Sequence, residues 1–227
     1  MTVLFVIFTI LLFLAIDMVY RRIHERKTVP AGSSVKPEHV LRPYPLRTPE
    51  GIFFTKSHTW LNLFPSGKIQ LGTDDFIGSM LENPQVALLK KAGDKIRKGD
   101  PLLALSENNR LLTIQSPIDG EVLASNDNLT LHPELLKTRL FSDGWAYSIR
   151  PSQMAELKNL LLGTESRNWM RQEFNRLRDF LVGAEVVAGN SPAYLHDGGA
   201  PVQGVLRHMD SEVWRNFEQE FLQAEKN

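Results

Sequence analysis

The sequence predicts an α+β chain in three parts: an N-terminal transmembrane helix, a β sandwich or flattened barrel, and a C-terminal helical extension. Three observations carry this. Residues 3 to 16, VLFVIFTILLFLAI, hold no charge. Between Gly51 and Pro151, short apolar runs alternate with Gly, Asp and Pro turns at regular spacing, as in β sandwiches and barrels. Beyond Gly163 the apolar residues switch to helical spacing.

Extending the apolar run to Tyr20 gives 18 residues, or roughly 27 Å of helix at about 1.5 Å per residue, close to a hydrocarbon core of about 30 Å. A secretory signal peptide would need a basic start and a small-residue cleavage site, and neither is present. RRIHERK (21–27) follows directly and nothing basic precedes the span. This bias puts the bulk of the chain on the cytoplasmic side of the cell (inner) membrane, in single-pass topology. Asp17 sits one turn before Arg21, at i,i+4 spacing near the headgroups, and Tyr20 is an interfacial aromatic. Residues 1–27 are therefore read as anchor and basic flank, and the bilayer as a partner through residues 3–20. Residues 28–50, with five prolines and no apolar periodicity, are read as an extended linker.

Composition removes several functions. Lys+Arg and Asp+Glu both number 26 in 227 residues, and the balanced charge argues against nucleic acid as a partner. There are no cysteines, which excludes disulfides, thiolate metal sites, iron–sulfur ligation and a cysteine nucleophile.

Within 51–163 the elements follow in order. GIFFTK (51–56), TWLNLF (59–64) and KIQLG (68–72) read as strands, the last two joined by a Pro65-Ser66-Gly67 turn. TDDFIGSML (73–81) is a short helix capped by Thr73 or Asp74. VALLK (86–90), PLLALS (101–106), LLTIQS (111–116) and GEVLAS (120–125) are strands again, punctuated by Gly93-Asp94, Gly99-Asp100 and Asp119-Gly120.

The pieces TKSHTW (55–60), LGTDDF (71–76), AGDKIRKGDPLLAL (92–105), SPIDGEVLASND (116–127), HPELL (132–136) and SDGWAYSIRPS (142–152) resemble the glycine cleavage system H protein. The resemblance covers Thr55 to Ser152 and implies the biotinyl/lipoyl-attachment fold. SQMAELKNLLLG (152–163) then matches the short helix that closes such domains.

The resemblance also implies a site. In that family a lysine at a hairpin tip takes lipoate as an amide. Counting back from Ser116-Pro117, its place falls on Asn109, with Glu107 and Asn108 just before it. A carboxamide has no nucleophilic nitrogen, and the Arg110 guanidinium stays protonated. No lysine occurs between Lys98 and Lys137. The expectation is a degenerate lipoyl position, no cofactor, no metal and no catalysis. Asn tolerates positive φ, so Asn108-Asn109 suits a type I′ turn. The hairpin is then kept either as framework or as a tip, with Arg110 projecting, that docks a partner.

The six histidines show no metal-ligand spacing, and His58 and His132 fall inside the family motifs as structural residues. HDGGAPVQG (196–204) lacks the Lys-Ser/Thr ending of a phosphate loop. No nucleophile-elbow sequence frames a serine.

The extension, 164–227, holds two amphipathic segments. In 165–183, Trp169, Met170, Phe174, Leu177, Phe180 and Leu181 form one face and Arg167, Arg171, Arg176 and Arg178 the other. Such a helix packs on its own domain or lies on a membrane surface. In 210–227, Asp210 is the expected cap, and Trp214, Phe217 and Phe221 form a stripe that reads as an interface if exposed. The two segments carry opposite charge and could pack together or meet a partner.

These readings predict a non-catalytic, membrane-anchored accessory or scaffold subunit of a larger membrane-associated complex. The alternative is a regulator or competitor that meets the enzymes of lipoate handling and glycine cleavage. A membrane-shaping role through the basic helix is a third reading.

Overall fold

A computed structural model describes residues 47–188 and 203–223. The expected anchor and basic flank, the linker up to residue 46 and most of HDGGAPVQG lie outside the described residues. Among the described residues, no helix is long and apolar enough to cross a membrane.

The chain alternates short strands with turns because glycine supplies positive φ where the backbone must reverse, as at Gly67 (φ 79°) between the second and third strands. Strands β1 (Ile52–Phe54), β2 (Thr59–Leu63) and β3 (Ile69–Thr73) form an antiparallel meander. Helix α1 (Asp75–Met80) follows; the Asp74 side chain caps it by accepting from the amides of Phe76 and Ile77. Then come β4 (Gln85–Leu88), β5 (Lys95–Ile96), β6 (Pro101–Glu107), β7 (Arg110–Gln115) and β8 (Gly120–Ser125). Helices α2 (Asp127–Leu131) and α3 (Leu135–Thr138) lead to β9 (Tyr147–Pro151) and β10 (Leu161–Leu162). Helix α4 spans Thr164–Ala188; α5 (Ser211–Phe217) is capped by Asp210 and runs into a π turn, Glu218–Leu222.

Seven strands form one sheet in the order β10-β1-β2-β3-β9-β8-β5, and three form a second, β4-β6-β7. The sequence expectation of a β sandwich or flattened barrel meets this as a mixed fold of two antiparallel sheets with helices. Alternation along β7 sends Leu112 and Ile114 into the core, where they join Leu103 and Leu105 of β6. Tyr147 ties the sheets together: its hydroxyl donates to the Leu102 carbonyl (2.8 Å) and accepts from the Lys90 amide (3.0 Å).

Burial pushes the Tyr147 phenol above its ordinary value of 10.0, against the lowering effect of its backbone hydrogen bonds. A raised folded value means stability is complete below about pH 10 and is lost as pH climbs through that value. Tyr147→Phe should therefore unfold more easily than the wild type at pH 8. The difference should shrink above pH 10, as read by urea midpoints across pH 8 to 11.

One local expectation is corrected. Residues 152–163 are not one helix but a 3-10 turn, Met154–Asn159, followed by β10, which pairs with β1 through Phe53↔Leu162 and Phe54↔Leu161. Pairing satisfies the amides of the β1 edge, and Gly163 (φ 61°) turns the chain into α4. Strands β5 and β10 and helices α2 and α3 carry too few residues to show a period.

The extension joins the same core as the sheets. Met170, Leu177 and Leu181 of α4 are buried with Trp214, Phe217 and Phe221. Phe76 of α1 is the hub, with ring centroids 5.5 Å from Phe174, 6.1 Å from Phe217 and 5.5 Å from Phe221. The apolar face of α4 thus packs on its own domain.

Candidate functional site

The β6–β7 hairpin is the feature on which the sequence reading turns. Its ladder closes at Glu107↔Arg110, leaving Asn108 and Asn109 as a two-residue loop. Their φ angles are 51° and 60°, the left-handed pair that a type I′ turn needs and that matches the twist of the flanking strands. Both side chains are exposed at the tip.

The tip is held from below. Glu107 is buried, and its carboxylate accepts from the amides of Glu82 (3.1 Å) and Asn83 (2.7 Å), fastening β6 to the loop between α1 and β4. Charged acceptors make the stronger hydrogen bonds. Glu107→Ala should lose about 1–3 kcal/mol of stability by leaving two amides without that partner, readable as a lower urea midpoint.

Arg110 follows the tip at the start of β7. It is half-buried, and its Nη1 donates to the Arg207 carbonyl (3.3 Å). Arg207 in turn pairs with Glu82, whose carboxyl it holds below the usual carboxylate range. Lys137 Nζ donates to the Glu82 carbonyl (2.6 Å). Burial holds Lys137 below the ordinary lysine value, against the attraction of Glu107 and Glu82. Arg47, at the start of the described residues, pairs with Asp75 (2.6 Å) and donates to the Lys137 carbonyl (2.7 Å). Where the described chain begins, the C-terminal segment and the hairpin tip are thus linked through one polar network.

The C-terminal segment also closes an edge. Strand β7 is the outer strand of its sheet, and Glu218 Oε1 accepts from the Thr113 amide (2.9 Å). Gly204 packs against Glu82, where a Cβ would come within 2.8 Å of the Glu82 Cβ, and its amide donates to the Ser79 carbonyl (2.8 Å). Trp214 Nε1 donates to the Leu206 carbonyl (2.6 Å). Trp214, Phe217 and Phe221 are 2%, 0% and 1% exposed. Read from the sequence as an interface if exposed, they instead fill the core, because α1 offers Phe76 as a stacking partner.

The sequence expectation passed over His58 as merely structural, and its partners could not be read from spacing. It lies at φ 58° and is fully buried, with Nδ1 2.8 Å from Asp74 Oδ2 and Nε2 3.9 Å from Glu173 Oε1. Its ring stacks on Phe76 at 3.9 Å and 7°. Both carboxylates are buried, and Glu173 accepts from Arg176 Nη1 at 2.5 and 2.7 Å. An imidazole beside a carboxylate is a general-base arrangement in a cleft. Here the imidazole is fully buried, and the cluster links the residue before β2 and the cap of α1 to α4. Among the described residues, no group of His, Asp and Glu could hold a metal ion.

Comparison with known proteins places this geometry. The family model for glycine cleavage H-protein matches residues 52–173, more than half of the chain and ten residues into α4. The chain is 30% identical over 113 residues to the glycine cleavage system H protein of Shewanella loihica, an alignment covering 50% of this chain and 88% of that protein. It is 27% identical over 125 residues to that of Pseudoalteromonas translucida, covering 55% and 97%. It is 29% identical over 113 residues to the probable H protein of Thermococcus gammatolerans, covering 49% and 84%. A solved glycine cleavage system H protein from Mycobacterium marinum aligns at 20% identity with a TM-score of 0.46, over 52% of this chain and 94% of that one. The match takes in the two sheets, the hairpin and the His58 cluster through Glu173, and the chain belongs to the glycine cleavage H-protein family.

Proposed function

We propose that this chain is a non-catalytic, membrane-anchored accessory or scaffold subunit, built on an H-protein domain that no longer carries lipoate. The observation that supports it is the hairpin tip. Asn108 and Asn109 keep the two left-handed positions of a type I′ turn, while Asn109 stands where the family's lysine would be and the next lysines are Lys98 and Lys137. The turn geometry is retained and the acylatable amine is not.

Anchoring rests on the uncharged run at 3–16 and the basic flank at 21–27, which set a single-pass topology with the domain on the cytoplasmic side of the inner membrane. No cofactor, nucleic acid or metal enters this reading; the partners are the bilayer and other subunits. Purification of the full chain in mild detergent tests it. The expected result is co-migration with stable protein partners, and recovery as a lone monomer would count against it.

The retained hairpin shape also favours the second reading, a regulator that meets the enzymes of glycine cleavage or lipoate handling without being modified. Competition by the purified chain against a lipoylated H protein in a glycine cleavage assay separates the two: the accessory-subunit reading expects none.

A further inference from the structure

His58 occupies a costly position. Its backbone is left-handed (φ 58°), a conformation that glycine adopts freely and a histidine only at a cost, and its ring is fully buried. The chain holds it there from both sides. The His58 amide donates to the Thr55 carbonyl (3.1 Å), and the Asp74 amide donates to the His58 carbonyl (3.0 Å).

A neutral ring can satisfy only one of its two acidic neighbours. An ionised carboxylate only accepts, so the 2.8 Å contact to Asp74 Oδ2 places a proton on Nδ1. Nε2 is then a bare acceptor facing a second acceptor, Glu173 Oε1, at 3.9 Å. Among the described residues this buried nitrogen has no hydrogen-bond partner. An unpaired acceptor buried against a carboxylate is unfavourable on both counts. A second ring proton removes the conflict, because the imidazolium donates from both nitrogens and meets a carboxylate at each end. The ring faces suit a cation as well: Phe76 stacks at 3.9 Å, and Trp169 lies at 5.1 Å, tilted by 36°. Beyond Asp74 and Glu173, the charged groups around the cluster are Arg176 of α4 and Glu220 of the π turn. Arg176 donates to Glu173 and to the Glu220 carbonyl (3.2 Å), with the Glu220 carboxylate 3.6 Å away. Three carboxylates against one guanidinium leave the cluster short of positive charge.

We propose that His58 is a proton-operated latch on the C-terminal extension. With both ring nitrogens protonated, it joins the Asp74 cap to Glu173 and tightens α4 against the sheets. With one proton it keeps Asp74 and releases Glu173. A proton bound more tightly when α4 is docked strengthens docking in acid, and that contribution is lost as pH rises. Histidine is the side chain whose ordinary titration falls between about pH 5 and 8. Met170, Leu177 and Leu181 stay in the core in either state, so the proton sets the grip on the helix and not whether it folds. The latch goes beyond the accessory-subunit reading and stands or falls separately from it.

The test uses the full chain in mild detergent and follows hydrogen exchange of the α4 amides, corrected for its intrinsic pH dependence. In the wild type, protection around Glu173 should fall by at least about tenfold from pH 5.5 to pH 8, the worth of a hydrogen bond to a charged group. Glu173→Gln removes the charge and offers Nε2 an amide N–H, and His58→Asn keeps a residue that visits left-handed backbone. In both variants protection should no longer follow pH. Nitrogen NMR of the histidine-labelled wild type reads the ring directly, whether or not the variants fold. The His58 ring, identified by its contact with Phe76, should carry two protons at about pH 5.5 and one at about pH 8. A bare His58 nitrogen at the acid end, two protons at the alkaline end, or wild-type protection as flat as that of Glu173→Gln overturns the latch.

Discussion

Trp214→Ala should lower the unfolding free energy by about 3–5 kcal/mol and leave a single transition. The side chain is 2% exposed, its Nε1 is spent on the Leu206 carbonyl, and it belongs to one core with the sheets. A large buried aromatic removed from a close-packed site loses both its transfer free energy and the contacts of the cavity it leaves. The extension is not a separate folding unit: Phe217 stacks on Phe76, Phe221 meets it at a tilt, and Phe180 meets Phe217 and Phe221 at 6.1 and 5.6 Å. A chain ending at Gly163 should therefore expose Phe76 and aggregate or fail to fold. Arg171→Ala, on the exposed side of α4, should stay within about 0.5 kcal/mol of wild type. A small early transition followed by an unchanged main one in Trp214→Ala would show that the extension melts independently and that this packing account is wrong.

Asp74→Ala should cost about 2–4 kcal/mol, because one carboxylate serves three buried partners. Oδ1 accepts from the Phe76 and Ile77 amides at the start of α1, and Oδ2 meets His58 Nδ1 at 2.8 Å. Losing the cap is worth about 1 kcal/mol, and leaving a buried imidazole N–H unpaired about 1–3 kcal/mol more. Asp74→Asn keeps an oxygen for the cap and gives up the charge, so its loss should be roughly half as large. An Asp74→Asn variant as stable as the wild type in chemical denaturation would mean that the cap alone matters and that the charge facing His58 contributes nothing.

The hairpin was the most legible part of the chain, because asparagine pairs tolerate the two left-handed positions and the flanking strands alternate. The cap at Asp210 was legible for a similar reason, and that of α1 was narrowed to Thr73 or Asp74, of which Asp74 serves: an acceptor side chain directly before an apolar-periodic segment has a local use. The failures share a different cause. Two-residue strands such as β5 and β10 have no period, and three consecutive leucines at 160–162 read equally well as helix. Contacts distant in sequence left no local trace: Arg110 reaches the Arg207 carbonyl across 97 residues, and Thr113 meets Glu218 across 105. The aromatic stripe of 214–221 announced a buried or bound face but not which, since that depends on whether Phe76 is there to receive it. His58 was placed within its motif, yet its second carboxylate comes from α4.

The Arg110 result bears on function. One Arg110 N–H is tied back to the Arg207 carbonyl, and the fully exposed side chains of the tip are those of Asn108 and Asn109. Neither has a nucleophilic nitrogen, and the tip is rigidly supported by Glu107 beneath it.

Intact-mass measurement of the full chain, isolated from cells supplied with lipoate, tests the central claim most directly. The account predicts the mass of the unmodified 25.8 kDa chain, with no lipoyl increment on any residue. A lipoyl amide on any lysine would contradict it and make the protein a carrier.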